Sequence, residues 1–230
     1  MYTIPGMTSV RRDLPLMLAL TFSTGVIDAV GYLGFDRVFS GNMTGNVVLL
    51  GMGIAGAEGL PVVRPALALA GFLLGAVLGG RILGKTPKNV WAPRTTLVLL
   101  LVAAGLLGSA VLAGIPGSPT HAILGSSTTT LLAVAMGMQA AAARRLAVAD
   151  VTTVVVTSTI VGLAADSRLA GGKGEAWGRR LLAIVLIVLG ALVGALTLSV
   201  SFWLGIALTV AITLTVAVLG HRSRDAGGAA

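Results

Sequence analysis

The chain contains a long internal repeat, in which the same three blocks of sequence occur twice in the same order. The blocks are Gly25-Val-Ile-Asp-Ala, Asn42-Met-Thr-Gly-Asn and Leu74-Gly-Ala-Val-Leu-Gly, followed by Gly137-Met-Gln-Ala-Ala, Val156-Thr-Ser-Thr-Ile and Leu189-Gly-Ala-Leu-Val-Gly. The two copies are offset by 112 residues at Gly25, 113 at Thr44 and 115 at Gly75. Since solenoid repeats have periods of only ~20–50 residues, this period indicates a duplicated half-protein. Duplicated halves in membrane proteins often build a solute pathway where they meet.

The composition predicts a helical membrane protein. Hydrophobic residues make up 56% of the chain and charged residues 10%, whereas about 25% of a soluble domain is charged. The apolar residues come in runs of roughly 20, enough to cross ~30 Å of hydrocarbon as a helix. Lipid accepts only helices and closed barrels, and these runs lack the alternation of barrel strands. We therefore predict an all-α polytopic fold.

The charged and reactive residues argue against several other functions. The net charge of +8 comes from basic residues at the ends of apolar segments, as topology signals do, so we expect no nucleic-acid partner. There is no cysteine, and His121 and His221 stand alone, without the spacing of a metal site. Since no nucleophile–base pair can be found either, we predict no enzyme activity, no catalytic residue, no metal and no cofactor.

Two of the apolar segments are too short to cross a bilayer, which takes at least ~17 residues. The eight segments are Leu14–Leu33, Asn42–Ala57, Ala66–Leu83, Thr95–Ile115, Ala122–Ala143, Val151–Ala165, Leu181–Ser199 and Phe202–Leu219, the second and sixth being the short ones. We expect repeat 1 at 14–115 and repeat 2 at 122–220, joined by a linker at 116–121. Tails at 1–13 and 221–230 complete the chain.

The distribution of Lys and Arg predicts how the segments cross the membrane. If all eight cross, the 16 basic residues divide nine to seven between the two sides, which is no bias. If the short second and sixth segments enter and return on the same side, only Arg37 and Arg64 lie outside and fourteen basic residues lie inside. That split follows the positive-inside rule. A variant in which the first and fifth segments do not cross gives thirteen to three.

The favoured topology has six crossings, and both termini are cytoplasmic. Because each repeat then crosses three times, the second copy is inverted. We therefore expect two inverted repeats, each with three spanning helices and one short re-entrant or broken segment, with full spanning of the short segments as the alternative. Re-entrant tips would meet near the midplane and expose polar backbone groups to a solute. These tips would be 42–46 and roughly 152–159.

Polar residues at this depth are the candidate solute-binding residues. They are Asp28, Asn42, Thr44, Asn46, Gln139, Thr157 and Thr159. Asp28 is the one carboxylate inside a clear span, and an acid at such depth usually marks a pathway or a partner. It could be a proton or cation site that couples transport, or a structural acid paired with Asn46 or Arg37. The threonines could instead bond back to their own helices.

Glycine stripes in the third and seventh segments predict close helix packing. Gly71, Gly75 and Gly79 are spaced by four residues, as are Gly190 and Gly194, and small residues let helix backbones approach in lipid. The two stripes could face each other on the pseudo-twofold axis, or they could form a homodimer.

At these residues the chain resembles the YoaK-like family of bacterial inner-membrane proteins, which is named as of unknown function. The matching stretches are Gly25 through Leu33, Phe39 through Gly51, and Met136 through Thr157. The family usually has Gln-Asn where this chain has Gln139-Ala140. The resemblance implies a bacterial membrane protein and no particular substrate.

The residues themselves predict a small carrier, coupled to ions or protons, for a small polar or ionic solute. Its site would lie at the midplane, between the repeats. A passive channel with two re-entrant segments is the alternative within transport, and a membrane scaffold or sensor is the alternative outside it.

Overall fold

The computed structural model describes residues 7–146, 156–174 and 176–227, and their regular structure is entirely helical. The elements are α1 (Met7–Gly34), α2 (Met43–Ile54), α3 (Val63–Leu83), α4 (Pro93–Gly114), α5 (Ala122–Leu146), α6 (Val156–Ala165), a 3-10 turn (Arg168–Ala170), α7 (Trp177–Leu198) and α8 (Phe202–Gly227). All eight predicted segments are thus confirmed as helices, although 151–155 of the sixth lies outside the described residues. The predicted polytopic membrane protein is confirmed at this level.

Five helices are long and apolar enough to cross a membrane, namely α1, α3, α4, α7 and α8. The 25 residues of α5 would also reach across a bilayer, but this helix is more polar because of the Ser126–Thr130 run and Gln139. Its threonines bond back to carbonyls one turn earlier, as Thr128 does to Leu124 (2.8 Å). The crossing by α5 therefore stays a prediction, while α2 and α6 are short, as predicted.

The helices α3 and α5 run parallel and touch through the glycines of α3. A Cβ atom at Gly75 would collide with the carbonyl oxygen of Val134, and a Cβ at Gly79 would lie 3.2 Å from that of Met138. Val134 and Met138 follow each other along α5 in the same order as Gly75 and Gly79 along α3, so the two helices run in the same direction. Only glycine allows two backbones to approach so closely.

The same arrangement joins α1 and α7. Gly190 lies against the carbonyl of Phe22, and a Cβ at Gly194 would be 2.5 Å from that of Val26. The two glycine stripes therefore contact different helices, and α3 does not pack on α7. The expectation that the stripes face each other is wrong. Since both stripes are covered within one chain, a homodimer would need other surfaces.

The remaining long pairs are antiparallel. Trp91, just before α4, packs on Gly220 near the end of α8, and Gly114 at the end of α4 faces Trp203. Contacts at other glycines show that α8 is antiparallel to α1 and that α5 is antiparallel to α4. Consecutive long helices thus alternate in direction through the sequence.

These directions determine where the chain returns. The end of α1 and the start of α3 lie at one end of the bundle, so segment 35–62, which includes α2, leaves and re-joins the same end. The end of α5 and the start of α7 lie at the opposite end, where α6 stands. The start of α1 and the end of α8 share that second end. Within the described residues α2 packs only on α3, and α6 packs only on α7 and the 3-10 turn.

Candidate functional site

The carboxylate of Asp28 holds the loop that leads into α2. Its Oδ1 atom accepts hydrogen bonds from the backbone N–H groups of Ser40 (3.0 Å), Gly41 (2.7 Å) and Asn42 (3.3 Å). Asp28 lies six residues before the end of α1, about 9 Å along the axis at the rise of a helix. The loop 35–42 must therefore run back along α1 to reach it. The expectation that Asn46 or Arg37 pairs with Asp28 is wrong, because Asn46 donates to Phe39 and Arg37 donates to Gly59.

The electrostatics of this contact are favourable because the amides stand at a helix N-terminus. Asn42 is the N-cap of α2, and its side-chain oxygen accepts a hydrogen bond from Gly45 N–H (3.2 Å). Three converging amides and the positive end of the α2 dipole together stabilise a carboxylate. Asp28 thus serves as the anion of a backbone anion site.

Asn46 is fully buried and braces the same loop. Its Oδ1 accepts from Phe39 N–H (2.9 Å), and its Nδ2 donates to Phe39 C=O (2.6 Å). Phe39 also stacks on Tyr32 of α1, with ring centroids 4.8 Å apart. Since both ends of the Asn46 amide are occupied by backbone, this residue positions the loop rather than presenting a free group.

Gln139 brings the second half of the chain to this site. Its side chain is 1% exposed, and its Nε2 donates to Thr24 Oγ1 (3.3 Å), one turn before Asp28 on α1. A Cβ atom on Gly41 would lie 3.0 Å from Thr24 Cγ2 and 3.4 Å from Met136 Cε. Gly41 therefore lies between α1 and α5, where a larger side chain would make its neighbours shift. We call the group of Asp28, Gly41, Thr24 and Gln139 the wedge.

Several oxygen atoms around this wedge lack a donor within the described residues. They are Asp28 Oδ2, Gln139 Oε1 and Ser40 Oγ, of which the last two are buried. Buried acceptors without partners are uncommon and need an explanation. A solute that donates hydrogen bonds or carries positive charge would satisfy them. Across the described part of the chain, no cluster of three His, Cys, Asp or Glu suits a metal ion.

The structure does not bring the other candidates to this wedge. Thr44 lies on the exposed face of α2. On α6, Thr157 is exposed and Thr159 is buried, but α6 has no packing contact with α1, α2 or α5 in the described residues. The predicted meeting of the two tips is thus absent there, and 152–155 lies outside the described residues.

Sequence reasoning missed Thr24, Ser40 and Gly41. Thr24 could have been found, because it precedes Asp28 by four residues and therefore shares its helix face. The Ser40-Gly41-Asn42 run was a weaker signal, since such residues are common in any loop before a helix.

The comparisons with known proteins cover most of the chain. Residues 16–219 match the family described as "Protein of unknown function (DUF1275)". The chain is 32% identical over 198 residues to "UPF0700 transmembrane protein YoaK" of Bacillus subtilis (strain 168), covering 83% of this chain and 86% of that protein. No solved structure matches. The resemblance predicted from the sequence is confirmed, and the chain belongs to the YoaK-like DUF1275 family of membrane proteins.

Proposed function

We propose that this protein is a small secondary transporter for a small polar or ionic solute, coupled to ions or protons. Its solute would bind between the two halves at the wedge formed by Asp28, Gly41, Thr24 and Gln139. The proposal includes a cytoplasmic-membrane location with both termini inside, and it includes no covalent catalysis.

Equivalent contacts in the two halves support an inverted repeat. Gly190 packs on Phe22, and Gly75 packs on Val134, which lies 112 residues after Phe22. This is the offset that relates Gly25 to Gly137 in the sequence. Because α1 and α5 run in opposite directions, a rotation that superposes α1 on α5 also inverts the first half relative to the second. Inverted halves with a solute site between them are a common transporter design.

The return of segment 35–62 to one end, and of the α6 segment to the other, supports two re-entrant segments. Such irregular backbone survives at membrane depth only inside protein or beside a wet cavity. The loop before α2 satisfies this requirement through Asp28 and Asn46, which together occupy four of its backbone N–H groups.

One observation carries the proposal. At the contact between α1 and α5, the Oδ2 of a charged residue and the buried Oε1 of Gln139 are acceptors that no described group satisfies. The solute class that fits is one with hydrogen-bond donors or positive charge, such as a monovalent cation, an ammonium group or a proton. Anions are disfavoured because each of these groups is an acceptor.

The test is uptake into proteoliposomes that contain a pH-sensitive dye. Potassium, sodium, ammonium and neutral polyols are added outside, with and without a proton gradient. We expect one donor-bearing or cationic solute to move with protons, and Asp28→Asn to abolish this coupling. Asp36→Asn is the matched control, since Asp36 is exposed beyond α1 and its φ of 61° suits asparagine.

Each alternative function has its own outcome in this assay. Solute flux that is unaffected by the gradient and retained in Asp28→Asn would favour the passive channel. No flux of any solute, together with an unchanged cellular phenotype of Asp28→Asn and Gln139→Ala, would favour the scaffold or sensor. Coupled uptake that is equal in Asp28→Asn and wild type would remove the wedge from the mechanism.

A further inference from the structure

Arg64 is a buried cation without a partner. It is the second residue of α3, its side chain is 9% exposed, and it makes no hydrogen bond or ion pair within the described residues. Glu58, the nearest acid before it in the sequence, is exposed and does not pair with it. A buried charge is strongly unfavourable unless an opposite charge or several hydrogen bonds compensate it. The described residues supply neither.

The surroundings of Arg64 add further positive potential. The guanidinium lies on Gly125 in the first turn of α5, where a Cβ atom would be 2.6 Å from Nη2. The N–H groups of Ala122 and Ile123 at the start of α5 have no acceptor in the described residues, and only Leu124 N–H is capped, by His121 Nδ1 (3.4 Å). A guanidinium at the positive end of a helix dipole is unfavourable by itself. An anion would compensate both.

A comparison with the other end of the bundle strengthens this conclusion. There Arg180, in the first turn of α7, forms an ion pair with Asp166 at 2.6 Å. In that case an acid of the chain neutralises an arginine near a helix start. At the start of α3 and α5 the chain provides no such acid among its described residues. A buried hydroxyl without a partner, Ser118 Oγ, lies instead in the loop just before α5.

We propose that Arg64 and the first turn of α5 bind an oxyanion of the phosphate class. The planar guanidinium offers paired donors to two oxygens of such a group, while free helix amides offer further donors. Glycine at 125 fits this arrangement, because a Cβ atom there would make the guanidinium shift away from the first turn of α5. The site lies at the end of the bundle where α1 stops and shares no residue with the Asp28 wedge, so its test does not require that the protein transports a solute. Its ligand is either a free oxyanion or the phosphate of a lipid headgroup.

The experiment measures the thermal stability of the purified full chain in a maltoside detergent, which contains no phosphate. Inorganic phosphate is titrated in one arm, with chloride at matched ionic strength, and phosphatidylglycerol is added to the micelles in the other. We expect one of these to raise the Tm of the wild type in a saturable manner, since a ligand that binds only folded protein stabilises it. Arg64→Gln should weaken this effect at least tenfold.

Arg37→Gln is the matched control, because Arg37 is exposed at the same end of the bundle. It should respond like the wild type. Gly125→Ala retains the charge but makes the guanidinium shift, so it should weaken the response and gives a second test if Arg64→Gln fails to fold. A response to phosphate identifies a free oxyanion, and a response to phosphatidylglycerol alone identifies a lipid. No response in the wild type, or an undiminished response in every folded variant of Arg64→Gln and Gly125→Ala, would overturn the site.

Discussion

Changing one glycine to alanine at two places in α3 should move stability in opposite directions. Gly75 faces the backbone of α5, where a new Cβ atom would fall well inside 3.0 Å of the Val134 carbonyl oxygen. Gly80, five residues later in the same helix, has no heavy atom within 4 Å of the position of its Cβ. The chemical change is identical, so the difference isolates the packing of α3 on α5.

The magnitude follows from two opposing effects. Alanine favours helix over glycine by up to about 1 kcal/mol, which is the whole effect expected at Gly80. At Gly75 the helices must also move apart by about 1 Å to reach the closest contact that Cβ atoms show. Overpacking of this kind costs about 1–3 kcal/mol, at the upper end here because the obstructing atoms are backbone rather than a flexible side chain. We therefore expect Gly75→Ala to lower the free energy of unfolding by about 2 kcal/mol.

The assay is unfolding in mixed detergent micelles, followed by tryptophan fluorescence. Gly190→Ala, at the contact of α7 with α1, should lose a similar amount, because Gly190 meets the carbonyl of Phe22 in the same manner. The two losses should add within about 0.5 kcal/mol, since the two interfaces share no residue. Wild-type stability of Gly75→Ala, or an equal loss in Gly80→Ala, would show that the close α3–α5 contact is wrong.

Two further predictions concern the loop before α2 and the topology. Asn46→Ala should destabilise the protein by about 2–4 kcal/mol, because both backbone groups of Phe39 lose their partner. Asn42→Ser should change the stability little, since serine is also a good N-cap. Equal melting temperatures of the two variants would contradict this prediction. In this cysteine-free chain, Thr120→Cys should react with an impermeant maleimide in intact cells and Lys88→Cys only after permeabilisation. Equal labelling of both from outside would rule out the proposed topology.

The helices could be predicted from the sequence because their signals are local and redundant. Most apolar runs are bounded by Pro, Gly or charge, as α4 is by Pro93 at its first position and by Pro116 after its end. The close approach of Gly75 and Gly190 was also predictable in kind, since small residues at four-residue spacing serve that purpose. Their partners were not, because a stripe on one helix says nothing about which helix faces it.

The contacts of Asp28 could not be predicted because they depend on an irregular loop. Two residues without glycine's freedom, Asp36 and Arg37, adopt left-handed φ angles of 61° and 57° and turn the chain back along α1. Non-glycine residues rarely take this conformation, so the sequence gives no sign of the turn. Once it forms, Arg37 donates a hydrogen bond to Gly59 C=O (3.3 Å) at the bundle end instead of to Asp28. The two donors suggested for Asp28, Asn46 and Arg37, therefore bond to other groups.

The two oxygens of Asp28 have different partners, and this separates its structural role from its proposed binding role. Oδ1 accepts three backbone hydrogen bonds, whereas Oδ2 accepts none from the described residues. Asp28→Asn can keep a carbonyl oxygen towards the three amides but places a donor where Oδ2 was. Asp28→Ala removes both, stranding three amides at a cost of at least about 1 kcal/mol each. Coupled uptake should therefore be lost in both variants, while the melting temperature should fall much further in Asp28→Ala. Equal destabilisation of the two variants would mean that the charge itself, rather than an acceptor at Oδ1, holds the loop, and that binding and folding cannot be separated at this residue.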